Sequence, residues 1–419
     1  MLRLAAGAAA ARNVGDDATA LLERSAAVAT DAGRAEEAAE DLARVAALQR
    51  RAVGIMGHPF TREQVDAVLA RARSLSAGGR RAAAAIATAE GWAHGSRARS
   101  HAATAHALAL AEEAGAALLV NEALDQLTSL EMATGDLEAA IAAVDRRLVV
   151  LADVATDASS GFELYDALHM GCHVNLAAGR LDVARRHADA LAELPYLCEE
   201  RHLGLGRRME VNAMAGEFDA VVAHAALFEH DWRRAGRPVA GNLAVGAYAA
   251  AMIFGMQRDD GSRAHWTSIT RSLLARPERL DDPANLWAVA LDVLLALDDG
   301  DVRTALARTP QTPDEPIEDS NQVLWLPWYA AVWVEARVLA GVDVSATQLD
   351  AARAAAAGND IALTAIERAR RIAHEPNADL ADLAERFTAA GCTYQANRTR
   401  SLARLPGHNT DAPGAGAVD

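Results

Sequence analysis

The stretch Gly135-Asp136-Leu137-Glu138-Ala139-Ala140 carries the pattern that decides the fold. It combines a glycine, an apolar residue two positions later and a small apolar residue five positions later. The same pattern returns in Gly179 to Ala184, Gly216 to Val221 and Gly300 to Ala305. A motif that recurs at similar spacing marks a stack of units, each too small to bury its own apolar face. The sequence therefore predicts a repeat array.

The spacing of the four glycines predicts the size of one unit. Successive spacings are 44, 37 and 84 residues, and the last of these suits two units. We expect the intervening turn at Asp259-Asp260-Gly261-Ser262-Arg263-Ala264, and Gly95 and Gly341 extend the series in both directions. Two helices of about 15 residues and two tight turns fill such a period of about 40 residues.

Glycine suits this turn because a helix often ends at a left-handed residue, a conformation that costs glycine little. Apolar residues follow a helical period on both sides of Gly135, at Leu119, Ala123, Leu127 and Leu130 and at Leu137, Ala140, Val144 and Leu148. No useful length of chain alternates with a period of two residues. We therefore predict an all-α fold, a right-handed α-solenoid of degenerate antiparallel helix hairpins.

Three segments interrupt the helical pattern. Residues 51–63 form a break between N-terminal helical hairpins in residues 1–50 and the main array, which we expect over residues 64–405. Residues 309–320 contain three prolines and form a loop within the array. Residues 406–419 have the composition of a disordered tail.

The composition excludes several classes of function. The formal net charge of −16 disfavours nonspecific nucleic-acid binding, because that binding depends on cationic side chains that displace phosphate counterions. All 41 basic residues are arginine, which excludes a lysine-based phosphate loop, a kinase-type lysine and Schiff-base chemistry. We expect no direct contact with nucleic acid.

Cysteine content and hydropathy predict a cytoplasmic protein without a membrane partner. Cys172, Cys198 and Cys392 are odd in number and far apart, which predicts neither a disulfide framework nor a paired zinc site. Residues 238–256 carry no charge, but their apolar content is mainly alanine and glycine. We predict a buried helix in this segment and no secretory leader.

The glycine turn is similar to the turn between the two helices of a tetratricopeptide repeat (TPR). The period is longer and less regular than the roughly 34 residues of that family, and its tryptophan, tyrosine and proline positions are mostly absent. The resemblance implies degenerate, TPR-like repeats.

Nearly the whole chain also resembles the C-terminal helical-repeat region of large actinobacterial ATP-binding regulators. The resemblance is carried by the repeat turns, by Val53-Gly54-Ile55-Met56 leading into Val65 to Leu75, and by Phe387, Gly391, Tyr394, Arg398 and Thr399. Gln395 and Asn397 replace the usual Glu and Ala of that ending.

Those regulators place an AAA or STAND-type ATPase, sometimes with a cyclase-like domain, before the repeats, and some place a LuxR-type helix-turn-helix after them. This chain contains no GxxxxGK[ST] motif. The resemblance therefore implies a repeat region that stands alone, or one whose ATPase or transcription module is encoded elsewhere and acts as its partner.

Three patterns contain metal-binding residue types without a complete ligand set. His169, Cys172 and His173 stand at i, i+3 and i+4 on one helical face, but no fourth ligand is evident. Asp259-Asp260-Gly261 and Asp298-Asp299-Gly300-Asp301 lack the EF-hand spacing and its closing glutamate. We expect core and surface histidines in the first case and solvated turns in the others, and we predict no metal and no cofactor.

Trp325, Trp328, Tyr329 and Trp333 lie within nine residues of a chain whose aromatic content is only 4%. One interpretation is that they pack into the core beneath the neighbouring hairpin. The other is that they form an exposed hot spot in the concave groove of the solenoid, beside the acidic loop 309–320. In that second interpretation they mark the candidate groove for a partner or ligand.

No GxSxG, HExxH, GxGxxG or kinase motif occurs, so we expect a protein without enzymatic activity. The leading hypothesis is a scaffold that binds protein partners through its concave surface in signalling or transcriptional regulation. The alternative is a sensor in which a small effector binds in the groove near the tryptophans. A third hypothesis is a hydrolase whose catalytic groups come from distant parts of the chain.

Overall fold

A computed structural model describes residues 1–93, 97–194, 200–315, 320–375 and 379–403, and all the regular structure in these ranges is helical. Helices that are neighbours in the sequence pack against one another in pairs. The helices are α1 (Leu2–Ala11), α2 (Gly15–Asp31), α3 (Ala35–Arg51), α4 (Arg62–Leu75), α5 (Arg80–Ala93), α6 (Arg97–Glu113), α7 (Ala117–Thr134), α8 (Leu137–Ala152), α9 (Gly161–Ala177), α10 (Leu181–Ala192), α11 (His202–Ala215), α12 (Phe218–Arg234), α13 (Ala244–Met256), α14 (Asp260–Leu273), α15 (Leu286–Asp298), α16 (Val302–Ala307), α17 (Ser320–Val323), α18 (Leu326–Leu339), α19 (Ala346–Ala355), α20 (Asp360–His374), α21 (Ala381–Ala389) and α22 (Thr393–Leu402). The all-α prediction is confirmed.

Left-handed residues end the first helix of successive hairpins, as the sequence pattern predicts. The φ angles are 79° at Gly135, 70° at Gly179, 89° at Gly216 and 73° at Gly300. At the first of these turns the Gly135 N–H bonds to the carbonyl of Met132 at 2.9 Å, which closes α7. Asp136 then caps α8, because its carboxylate accepts a hydrogen bond from the Ala139 N–H at 2.9 Å.

The next turn after Gly216 differs from the prediction. Its left-handed residue is Arg258, with a φ of 63°, whereas Gly261 lies inside α14. Asp259 caps α14 by accepting a hydrogen bond from the Ser262 N–H at 3.0 Å, and this cap offsets part of the cost of a left-handed arginine. Counted by the left-handed residue that lies between the two helices of each hairpin, the spacings from Gly135 to Gly341 are 44, 37, 42, 42 and 41 residues. Gly95 lies outside the described residues.

The C-terminal helices cover the end of α9. A helix leaves its last carbonyl groups without partners inside the helix. The indole N–H of Trp328 in α18 donates to the carbonyl of Leu176 at 3.1 Å. The amide of Asn359, which is the N-cap of α20, donates to the carbonyl of Ala177 at 2.8 Å. Hydrogen-bond partners that are separated by 152 and by 182 positions in the chain therefore meet at this helix end.

The end of α11 is covered in the same way by α22. The hydroxyl of Thr393 donates to the carbonyl of Ala215 at 2.9 Å, and the thiol of Cys392 donates to the carbonyl of Met214 at 3.1 Å. The left-handed Gly216 lies directly beneath this contact, since a Cβ added to it would be 2.4 Å from the backbone nitrogen of Tyr394. The C-terminal helices thus pack on the turns that follow α9 and α11.

The N-terminal helices also pack on α9. Contacts join α1 to α9. In the turn after α1, the amide of Asn13 donates to the hydroxyl of Tyr165 at 3.1 Å, and the amide of Asn242 donates to the same hydroxyl at 2.8 Å. Arg12 pairs with the carboxylate of Glu200 at 2.8 Å. One phenol oxygen therefore joins the N-terminus, α9 and the segment before α13.

The segment predicted as a break, residues 51–63, is part of the packed body. It forms the 3₁₀ turn Val53–Ile55, and α4 resumes after Thr61, whose capping box uses Gln64. This 3₁₀ turn contacts a second one, Gly241–Leu243. The N-terminal helices and the middle repeats are thereby held together through these two short turns.

Three other predicted segments are described to different extents. Residues 238–256, predicted as a buried helix, form the 3₁₀ turn Gly241–Leu243 and α13, most of which is buried. Of the loop 309–320, residues 309–315 are not helical, residues 316–319 lie outside the described residues and α17 begins at Ser320. The predicted tail, residues 406–419, also lies outside them. Among the described helices, none combines the length and apolar content that crossing a membrane requires.

Two glycine turns provide a matched test of the contact between α22 and α11. Gly300→Ala places a Cβ where nothing lies within 4 Å, so we expect only the strain of a left-handed alanine, about 1–2 kcal/mol. Gly216→Ala adds a clash with the backbone of Tyr394, and we expect it to cost at least about 1–3 kcal/mol more. Urea unfolding of both variants measures this difference, and equal losses would contradict the packing of α22 on this turn.

Candidate functional site

A cavity of about 600 Å³ lies between α9 and several connecting segments. Its walls come from residues 51–56, Pro59, α9, residues 241–245, residues 274–287, Gln311 and residues 322–325. The N-terminal and the C-terminal helices both contact α9, and we call this the closed arrangement. These contacts bring the wall segments together and so form the cavity. Pockets that bind small molecules typically have volumes of about 300–1,000 Å³.

One face of α9 forms a continuous wall of this cavity. The side chains on that face are Phe162, Tyr165, Asp166, His169, Met170 and His173. Their spacing of three and four residues places them on one helical stripe. The stripe combines aromatic and thioether surface with one carboxyl group and two imidazoles, those of Asp166, His169 and His173.

The structure separates the three residues of the predicted metal-like pattern. His169 and His173 lie on the cavity wall with their ring centroids 4.4 Å apart, whereas Cys172 is fully buried in the apolar core. Burial raises the pKa of the Cys172 thiol well above its usual value and lowers the pKa of both histidines, with Arg207 adding to the effect on the histidines. Within the described ranges, no group of three or more histidine, cysteine or acidic residues is placed to hold a metal ion.

A buried ion pair lies behind His173. Arg207 and Glu210 of α11 are both completely buried, and each contacts the imidazole of His173. Desolvation by burial raises the pKa of Glu210, but the charges of Arg207 and His173 outweigh it and hold the pKa below its usual value. The cavity wall is therefore backed by charged groups that fix the orientation of His173.

Two polar atoms beside the cavity have no hydrogen-bond partner among the described residues. One is Nδ1 of His169, a residue that is 8% exposed. The other is Oδ1 of Asn285, which is 7% exposed. The Asn285 amide nitrogen donates to the carbonyl of Arg279 at 3.0 Å, so its Oδ1 is left as an acceptor. Buried polar atoms without partners are rare and require an explanation.

Some polar and charged groups of the same wall have partners and others have none among the described residues. Arg276 lines the cavity, is exposed and forms no ion pair within the described part of the chain. Asp282 accepts a hydrogen bond from the Ala284 N–H at 2.9 Å. On the neighbouring segment, the side-chain oxygen of Gln322 accepts from the Leu286 N–H at 2.7 Å and joins the two parts of the wall. An unpaired guanidinium at the cavity favours an anionic group on any ligand.

The predicted aromatic cluster is buried, and only one of its members lines the cavity. The exposed fractions are 4% for Trp325, 5% for Trp328, 1% for Tyr329 and 0% for Trp333. Trp325 is part of the cavity wall. Trp328 binds the end of α9, the hydroxyl of Tyr329 donates to the carbonyl of Gln311 at 2.6 Å, and Arg337 lies 3.6 Å from the ring centroid of Trp333. The four side chains are therefore packed inside the protein and do not form the exposed hot spot that was one interpretation of the sequence.

Sequence reasoning missed a buried charge network beside the cavity. Arg51, at the end of α3, pairs with Asp125 at 2.6 Å, with Glu163 at 2.9 Å and with Asp166 at 2.7 Å. Arg147 pairs with Asp125 and Asp166 from α8. The sequence signal was present, since these acids fall on the helix faces that also carry apolar residues, but a search for catalytic motifs ignores it.

The carboxyl groups near Arg51 outnumber the guanidinium groups, and two of them have raised pKa values. Burial raises the pKa of Glu122 to about 7, against the lowering effects of Arg51 and Arg44 on α3, and the charges of Glu163 and Asp125 add to the rise. Burial likewise raises the pKa of Asp125 to about 6. The cluster therefore changes its charge near neutral pH.

No protein-family model matches this sequence, and no match was found among curated proteins. The functional interpretation of the cavity therefore depends on its own geometry and chemistry.

Replacement of Glu122 by glutamine tests the pH response of this cluster. Because the folded-state pKa of Glu122 is raised, its favourable contribution is complete below pH 4.5 and is lost as pH rises through about 7. We expect the stability of the wild type relative to Glu122→Gln to fall between pH 4.5 and pH 8, by up to about 3 kcal/mol.

Chemical unfolding at several pH values measures this difference. Glu112→Gln is the matched control, because Glu112 is half exposed and pairs only with Arg146 at the surface. A stability difference between wild type and Glu122→Gln that does not change with pH would contradict the assignment.

Proposed function

We propose that this protein is a non-catalytic sensor that binds a small amphipathic effector in the 600 Å³ cavity beside α9. The observation that carries the proposal is a cavity of ligand size whose wall combines apolar side chains with the guanidinium of Arg276, which is unpaired within the described part of the chain. The proposal takes up the sensor hypothesis of the sequence analysis and replaces the concave groove by a cavity that is partly open to solvent.

The wall chemistry supports an effector with an apolar body. Met170, Val245, Trp287 and Trp325 provide surface that a hydrocarbon or aromatic group would remove from water. Arg276, which is exposed at the wall, would pair with an anionic group. The best match is an amphipathic carboxylate.

The position of the cavity supports a sensing role. Its walls include the segment 51–56 from the N-terminal part and residues 322–325 from the C-terminal part, while α9 belongs to the middle repeats. A ligand that contacts all three parts stabilises the arrangement in which they are together, and that differential affinity is the requirement for a ligand-controlled change of state. The partner that would receive such a signal, including an ATPase or transcription module, stays a prediction.

Ligand binding to the wild type, and to a variant with a bulky side chain in the cavity wall, tests the proposal. The probes are a panel of amphipathic carboxylates, and binding is measured by thermal shift and by tryptophan fluorescence, to which Trp325 contributes. A member at 100 times its Kd should stabilise the wild type by about 2.7 kcal/mol. Val245→Trp places an indole on the cavity wall, where it takes space from a ligand, and should weaken binding and reduce this stabilisation.

Val149→Trp is the matched control, because Val149 is 71% exposed and lies outside the cavity wall. The control variant should bind each active probe as the wild type does. The proposal fails if no member of the panel binds, or if Val245→Trp binds the active probes with unchanged affinity while remaining folded by circular dichroism.

A further inference from the structure

A second and smaller chamber, of about 110 Å³, lies between the N-terminal helices and α7. Its walls come from α1, α3, the start of α7 and residues 159–163. Arg51 and Phe162 line both this chamber and the larger cavity, and the guanidinium carbon of Arg51 lies 5.2 Å from the ring centroid of Phe162. These two side chains therefore form part of the partition between the two spaces.

Every charged side chain on the chamber wall except one has an ionic partner. Arg3 pairs with Asp41 at 2.6 Å, and Arg44 pairs with Glu40 at 3.2 Å. Glu163 and Arg51 pair with each other. The remaining charged group is the carboxyl of Glu122.

Glu122 is only 8% exposed, yet its carboxyl forms no hydrogen bond or ion pair with any described residue. Its oxygens are not fully enclosed by protein, so they reach open space, and the chamber is the space that this residue lines. A buried carboxylate without a partner is costly. The site therefore calls for a positive charge or a proton from outside the chain.

The carboxyl of Glu122, unpaired among the described residues, favours a cation over an anion in this chamber. Arg51 and Arg147 are two guanidinium groups in contact with Asp125, Glu163 and Asp166, and Glu122 is a fourth carboxyl close to them. Because the arginines on the chamber wall are already paired, an anion would find no free positive group there.

The apolar part of the wall limits the kind of cation. Leu22, Leu48 and Leu119 line the chamber, and Ala6 and Ala10 of α1 complete this apolar surface. Mg²⁺ and Ca²⁺ need about six or more oxygen ligands, which one free carboxyl and an aliphatic wall do not supply. An organic cation with a short hydrocarbon tail satisfies both surfaces.

We propose that this chamber is a binding site for a small organic cation, a primary alkylammonium ion whose charge pairs with the carboxylate of Glu122 and whose tail contacts the leucine side chains. The site is separate from the larger cavity and does not depend on the function proposed for it. The volume of about 110 Å³ holds about seven to eleven water-sized groups of about 10–15 Å³ each, which is enough for an ammonium group with a short hydrocarbon tail.

Protons and the alkylammonium ion compete for the same carboxylate. The raised pKa of Glu122, about 7, means that the ion displaces a proton from part of the population at neutral pH. Binding should release up to one proton per site near pH 6 to 7. Below pH 7 the affinity should fall roughly tenfold for each pH unit.

Titration calorimetry on the full chain with propylammonium chloride tests the site, with sodium chloride at equal ionic strength as the reference. We expect saturable binding at pH 8, weaker binding at pH 6, and proton release near pH 7 that is revealed by buffers of different ionisation enthalpy. Glu122→Gln should weaken binding at least tenfold, Glu122→Asp should retain measurable binding, and Glu112→Gln should bind as the wild type does.

Absence of saturable propylammonium binding to the wild type at pH 8 would overturn the proposal and would assign the charge balance of Glu122 to its proton alone. Equal affinity of a folded Glu122→Gln variant would also overturn it. If that variant does not fold, proton release measured on the wild type decides the question, because binding without proton release near pH 7 contradicts a site at this carboxyl.

Discussion

The contact of Arg51 with three carboxylates is the interaction on which the closed arrangement most depends. The side chain leaves the end of α3 and inserts between α7 and α9, where it is only 4% exposed and pairs with Asp125, Glu163 and Asp166. A buried guanidinium is stable only when its charge and its N–H groups are matched in this way, and removing one partner of such a set typically costs about 3–5 kcal/mol. The same side chain separates the two cavities. Fold and candidate sites thus share one electrostatic constraint.

The N-terminal helices and the described C-terminal helices both pack on the hairpins around α9 and α11, but by different chemistry. The N-terminal part uses ion pairs and the shared hydroxyl of Tyr165. The C-terminal part uses the free carbonyls at the end of α9, to which Trp328 and Asn359 donate. A helix end must satisfy these carbonyls in some way, so the C-terminal helices dock where free hydrogen-bond acceptors are available. Because helices from both parts contact α9, they form a cavity that is partly open to solvent, where an array without these contacts would present a groove.

The sequence predicted what is decided locally. Helices and most turns follow from a period of 3.6 residues and from glycines such as Gly135, because both depend on residues within one or two turns. Arg258 escaped this reasoning, since its left-handed conformation is supported by the cap at Asp259 rather than by its own residue type. Trp328 escaped it because its partner, Leu176, is 152 positions away.

The candidate sites were the least predictable part of the structure. Glu122 and Asp125 look in the sequence like solvated charges on a helix, and only the helices packed around α7, together with the inserted side chain of Arg51, make them buried groups with raised pKa values. His169 and His173 were noticed together with Cys172, but the helix orientation that places two of them on a cavity wall and the third in the core is set by tertiary contacts. Periodicity identifies a helix face without identifying what that face meets.

Small-angle X-ray scattering on the full chain tests most directly whether the array is closed around its cavity. The closed arrangement predicts a radius of gyration close to that of a compact chain of 419 residues, about 22 Å, and a single-peaked distance distribution. A clearly larger radius with the skewed distance distribution of an elongated particle would mean that the array is open in solution, and would contradict the account.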